Sequence, residues 1–125
     1  MSRQKRSGKV SISAKHVRIT GFEIRCPAYR SLSCYARALL IEMRDLHNGR
    51  NNGEFYLSVR EAAERLGCAP ATAAKALKEL EDKGWIKPSQ KGSFRHKQKE
   101  ATTWILTNEA HNGDLATKEY ATWKN

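Results

Sequence analysis

The side chains in this chain that could do chemistry are mostly cationic, and they gather in three places. Arg3, Lys5, Arg6 and Lys9 lie at the start. Arg60, Lys75 and Lys78 punctuate a middle stretch that also holds Ser58, Pro70, Ala71 and Thr72. Lys91, Arg95, Lys97 and Lys99 fall in the segment PSQKGSFRHKQKE at 88–100. Ammonium and guanidinium groups hold phosphate oxygens, which fix position without reading sequence. Lys75 can also reach the acceptors on a guanine edge, Thr72 can meet a base edge or a phosphate, and alanine methyls can pack on a thymine methyl. Lys78 is better placed for phosphate. Alternation of Arg95, Lys97 and Lys99 is what a strand needs to aim three charges one way. Each group also has a plainer reading: a solubilising tail at the start, a solvated helix face in the middle.

Other chemistries find little support. The chain has no G-x-S-x-G, no G-x-x-x-x-G-K-[ST] and no H-E-x-x-H. Tyr29, Tyr35, Tyr56 and Tyr120 have no His/Asp cluster for company, so an enzyme is not expected. Cys26, Cys34 and Cys68 are an odd number without C-x-x-C, and His16, His47, His96 and His111 are scattered. Neither a disulfide framework nor a zinc site follows, and no cofactor or small-molecule ligand is expected. The longest aliphatic run, Ala38-Leu39-Leu40-Ile41, is far short of a membrane span. A cytoplasmic, nucleoid-associated protein with reduced thiols is the expectation.

The elements that would position the middle cations are two helices. Val59, Ala62, Ala63 and Leu66 recur at i, i+3, i+4, i+7, as do Ala73, Ala76, Leu77 and Leu80, each set forming one apolar helix face. Ser58 and Glu61 form a capping box for the first helix. Gly67 suits its left-handed exit. Pro70 fits the first turn of the second, where its missing N–H costs nothing, and Gly84 closes it. With the apolar set committed to a core, Ala71, Thr72, Lys75, Lys78 and Ala74 face outward. That face lacks Arg, Asn and Gln, so bidentate base pairings from those residues are absent and base reading is modest.

Before these helices, 17–26 is predicted to be extended because Phe22 and Ile24 alternate with charged neighbours. Pro27 opens a helical turn, and Ser33 caps a longer helix over 34–47 with the stripe Tyr35/Ala36, Leu39/Leu40, Met43, Leu46. That stripe reads as core, or alternatively as a dimer seam. Phe55-Tyr56-Leu57 forms a short strand. Trp85-Ile86-Lys87 and ATTWILT at 101–107 are two more, joined by the basic segment with a glycine at its tip. Phe94 in that tip is a wedge, a stacking group or a hairpin-packing residue. After 107, Leu115, Tyr120 and Trp123 either dock on their own domain or anchor a partner.

SVREAAERLGCAPATAAKALKELEDKGWI at 58–86 resembles the helix-turn-helix of bacterial winged-helix DNA-binding proteins. The wider block 27–107 is similar to small proteins of plasmids, phages and other mobile elements, and to the winged-helix part of some plasmid replication initiators. One departure is Ala69, where the family pattern has a Ser or Thr cap, at a cost of about 1 kcal/mol. The resemblance implies a mainly α fold with a small β-hairpin wing. It implies sequence-specific double-stranded DNA binding by a transcriptional regulator, repressor-like, acting as a dimer on paired half-sites. The DNA-facing set is then Ser58, Arg60, Pro70, Ala71, Thr72, Lys75, Lys78, Lys91, Arg95, Lys97, Lys99, Arg3, Lys5, Arg6 and Lys9. A replication or maintenance factor, and a winged helix that binds protein, are the alternatives.

Composition agrees with a polyanionic partner. The 125 residues carry a net charge of +10 and a pI near 9.8. Residues 1–30 contribute +7, 31–83 nothing and 84–125 +3, so the excess flanks the helices. The expected organisation is a flexible basic arm at 1–18, a winged helix-turn-helix domain at 19–107 and a tail at 108–125.

Overall fold

Thr20 and Glu23 begin the first helix, and they overturn the extended reading of 17–26. In the computed structural model, which describes residues 15–90 and 102–125, α1 spans Gly21–Arg25. The Glu23 N–H donates to Thr20 Oγ1 at 3.2 Å and the Thr20 N–H to Glu23 Oε1 at 2.8 Å, a capping box. The alternation misled because Phe22 and Ile24 are both exposed; the residue that turns inward is Glu23. Its carboxylate receives both Arg44 nitrogens, at 3.0 and 2.9 Å, with each side chain only 5% exposed. Tyr120 Oη adds a third donor at 3.0 Å. Burial raises the Glu23 carboxyl, but Arg44, the Thr20 N–H and Tyr120 outweigh it and hold the group below its ordinary value. Burial and the nearby carboxylate push the Tyr120 phenol up.

The short α2, Pro27–Arg30, leads to α3, Cys34–Leu46, capped by Ser33 accepting from the Ala36 N–H. Ala36, Leu39, Leu40 and Met43 are buried as the stripe requires, and Leu46 is half-buried. Tyr35 instead points to solvent. Arg44 joins the buried side, made tolerable by the Glu23 pair and by a hydrogen bond to the Arg18 carbonyl at 2.9 Å.

Strand β1 (Phe55–Leu57) feeds α4 (Val59–Leu66), and α5 (Pro70–Asp82) leads to β2 (Ile86–Gln90) and β3 (Thr102–Leu106). The sheet is antiparallel with order β1-β3-β2, pairing Phe55 with Trp104 and Ile86 with Leu106. Pro88 is tolerated because β2 is an edge strand, and the ladder shifts register between Pro88 and Gln90. Trp104 and Leu106 turn into the core while Ile105 is half-exposed on the other face. The architecture is the expected one, mainly α with a small antiparallel sheet.

Val59 departs from its stripe: at the first position of α4 it is 38% exposed, while Ala62 and Ala63 are buried and Leu66 is half-buried. Leu57, just ahead of the Ser58 cap, takes the inward place. Leu57 and Ala62 occupy the positions of a hydrophobic staple and both are buried.

Trp85 is the centre of the core, fully buried, with its indole N–H donating to the Ala28 carbonyl at 3.3 Å. Tyr120 stacks on it at 4.1 Å and 4°, and Tyr29 meets it edge-on at 6.0 Å. Such pairs add about 0.5–1.5 kcal/mol beyond the area they bury. Of the alternatives for the chain after 107, Tyr120 therefore docks on its own domain. Trp123 is half-buried with the Lys83 ammonium 5.1 Å from its ring, and Leu115 is fully in solvent.

Candidate nucleic-acid interface

The geometry of the middle helices starts from their turn. The Ser58 hydroxyl accepts from the Glu61 N–H at 3.0 Å and Glu61 returns the contact to the Ser58 N–H at 3.3 Å. Gly67 ends α4 at φ 69°, ψ 39°, in the left-handed region. The Gly67 and Cys68 N–H groups both donate to the Ala63 carbonyl, closing the turn. Ala69 caps α5 without any side-chain hydrogen bond, and Pro70 occupies the first helical position.

Two polar contacts hold α4 and α5 against α3. The Glu79 carboxylate accepts from both the N–H and the hydroxyl of Ser33, at 2.9 and 2.7 Å, so the side of α5 fastens to the start of α3. Arg65 reaches Glu42 at 3.1 Å and ties the end of α4 to the middle of α3. Both are exposed and individually weak; Glu79 joins α5, and Arg65 joins α4, to α3.

With Ala73, Ala76, Leu77 and Leu80 buried, the opposite row of α5 runs Ala71, Lys75, Lys78, Asp82, all exposed. Ala74 and Pro70 are exposed beside it; Thr72 is half-buried on its flank. Arg60 and Lys75 make no ion pair or hydrogen bond among the described residues. Lys78 does: its ammonium meets Asp82 at 3.1 Å, one turn on, and that hydrogen bond holds the lysine above its ordinary value. Ser58 is half-buried, its oxygen engaged in the cap and its hydroxyl proton free to donate.

The structure thus brings Ala71, Ala74, Lys75 and Lys78 onto one face of one helix, with Pro70 at its start. Arg3, Lys5, Arg6 and Lys9, and likewise Lys91, Phe94, Arg95, Lys97 and Lys99, lie outside the described residues. Asp82 was not singled out from the sequence, although the i, i+4 spacing from Lys78 was there to be read. The Glu79 to Ser33 joint was not legible, because it spans 46 positions. Lys87 is not a free cation either; it pairs with Glu119 at 2.9 Å. No group of three or more His, Cys, Asp or Glu among the described residues could hold a metal ion, and no described helix is long and apolar enough to cross a membrane.

Residues 30–86 match the family model of a helix-turn-helix domain. The match begins at the last residue of α2 and ends at the first residue of β2, so it covers α3, β1, α4 and α5. It supports a helix-turn-helix DNA-binding module over that segment. No curated protein and no solved structure matches the chain.

Proposed function

We propose that the chain binds double-stranded DNA with sequence specificity and regulates transcription, α5 lying in the major groove and the basic hairpin at 88–100 resting on phosphate or in the minor groove. The observation that carries this reading is the outward row Ala71, Lys75, Lys78 on a helix whose other side is core, within the segment that matches a helix-turn-helix family. Lys75 and Thr72 would touch base edges, and Arg60, Ser58 and Lys78 phosphates. Lys91, Arg95, Lys97 and Lys99 would follow the backbone beside the groove, and Arg3, Lys5, Arg6 and Lys9 the flanking duplex. Occupying a promoter suffices to repress, so a repressor needs nothing beyond this surface. One α5 reads few bases, and a dimer on paired half-sites would double the sequence read.

Titrating the full chain against unrelated duplexes at several salt concentrations tests the binding. Each phosphate neutralised adds about 0.9 to the slope of log affinity against log salt. A slope of several units is expected, with Arg95→Ala and Lys97→Ala each lowering it by about one. A flat titration sinks the proposal. Mapping the genomic DNA bound by the chain tests the regulatory part: promoter sites support it, and origin sites would replace it with a replication role.

A further inference from the structure

Resting on the DNA-binding reading above, we infer that α5 recognises thymine methyl groups beside a guanine, with Ala71 and Ala74 packing on the methyls and Lys75 donating to the guanine acceptors.

The polar groups on α5 are accounted for one by one. Glu79 is taken by Ser33. Lys78 is held by Asp82. Thr72 is half-buried on the flank of the row. Glu81 and Asp82, both exposed, put carboxylates at the C-terminal end, where they oppose close approach to phosphates. The helix therefore enters a groove by its N-terminal half. What that half presents is two exposed alanine methyls and the Lys75 ammonium, without a partner among the described residues, with the half-buried Thr72 beside them.

A methyl has one apolar complement in the major groove, the C5-methyl of thymine. Against cytosine it would face the N4 amino donor and leave it without a partner, and against adenine it would offer nothing to N6 or N7. The Lys75 ammonium, one turn beyond Ala71 and adjacent to Ala74, is three donors with no acceptor, which fits guanine O6 and N7. Guanine offers the ammonium two acceptors, O6 and N7, against one each on adenine and thymine, so thymine methyls beside a guanine are the base set these three side chains complement most fully.

The test uses the full chain and a pool of random-sequence duplexes from which bound members are selected. The selected duplex is remade with deoxyuridine in place of each thymine in turn, which removes the methyl and preserves the base pair. One or two positions should lose about fourfold in affinity, the worth of one buried methyl group, with the others unchanged. At those positions Ala71→Gly or Ala74→Gly should bind the thymine and deoxyuridine forms alike. Because glycine weakens a helix, circular dichroism checks that each variant keeps its fold, and a folded variant that still prefers thymine to deoxyuridine overturns the inference. Equal affinity for fully deoxyuridine-substituted duplex, or selected sites without thymine, overturns the inference while leaving DNA binding intact. A pool with no enrichment and no salt-sensitive binding overturns both.

Discussion

Glu23 and Arg44 show how one residue pair can decide a local structure. Breaking a buried, hydrogen-bonded ion pair by removing one partner costs about 3–5 kcal/mol, because the other charge stays desolvated. Glu23→Gln should therefore lower stability by that order in urea unfolding at neutral pH, through loss of the carboxylate charge and of one of the two Arg44 contacts. The pH dependence carries a sign that can be worked out. The folded carboxyl lies below its ordinary 4.5, so its stabilisation is present above about that pH and is lost as pH falls through the folded value. The wild-type stability curve should fall as the pH drops below about 4.5, and the Glu23→Gln curve should be flatter there. On α5, Lys75 and Lys78 differ for an equally local reason: Lys78 is paired with Asp82. Lys75→Ala should cost about 1–3 kcal/mol on the selected duplex and less on unrelated DNA. Asp82→Asn frees Lys78 and should tighten binding to unrelated duplexes by about twofold, the size of an i, i+4 pair. Weakened binding by that variant would contradict the role given to Lys78.

At the scale of elements, two glycines that look alike in the sequence do different work. Gly67 and Gly84 both have positive φ, 69° and 85°, where a side chain is strained. A Cβ at Gly67 would meet nothing within 4 Å, whereas one at Gly84 would come within 2.7 Å of the Glu119 carbonyl carbon and the Tyr120 nitrogen. Gly67→Ala should thus cost about 1 kcal/mol, the conformational strain alone. Gly84→Ala should cost clearly more in thermal unfolding, since the backbone at 119–120 must move and the Tyr120 N–H to Gly84 carbonyl bond at 3.1 Å goes with it. Equal losses would mean the chain after 107 yields freely. The same contact explains how α5 and β2 keep their angle: the Thr107 hydroxyl donates to the Gly84 carbonyl at 2.7 Å, and Tyr120 stacks on Trp85 directly after it.

At the scale of the molecule, the distribution of charge is the organising feature. Residues 31–83 sum to zero, and inside that span the acids are spent on internal joints such as Glu42 to Arg65 and Glu79 to Ser33. The basic excess is left to the two flanking segments. Removing residues 1–14 should therefore lower the salt slope on unrelated duplexes by up to about four units, one for each arginine or lysine in Arg3, Lys5, Arg6 and Lys9, with little change in thermal unfolding. An unchanged slope would confine the electrostatics to the domain.

Local signals were legible where a few neighbouring residues decide the outcome. The Ser58–Glu61 box, Gly67, Pro70 and the two apolar rows determined α4, the turn and α5 from sequence alone, because caps and helical periodicity act within one or two turns. Thr20-Gly-Phe-Glu23 carried the same box signature and was eclipsed by an alternation that tertiary burial did not honour. The inward turn of Glu23 and Arg44, the docking of Tyr120 on Trp85 and the grip of Glu79 on Ser33 join residues between 21 and 97 positions apart. Periodicity cannot report such contacts, since they depend on which faces meet once the helices have packed. That packing decided which face of α5 is left outward, whereas the Lys78–Asp82 pair, one turn apart on that face, is a local contact already written in the sequence.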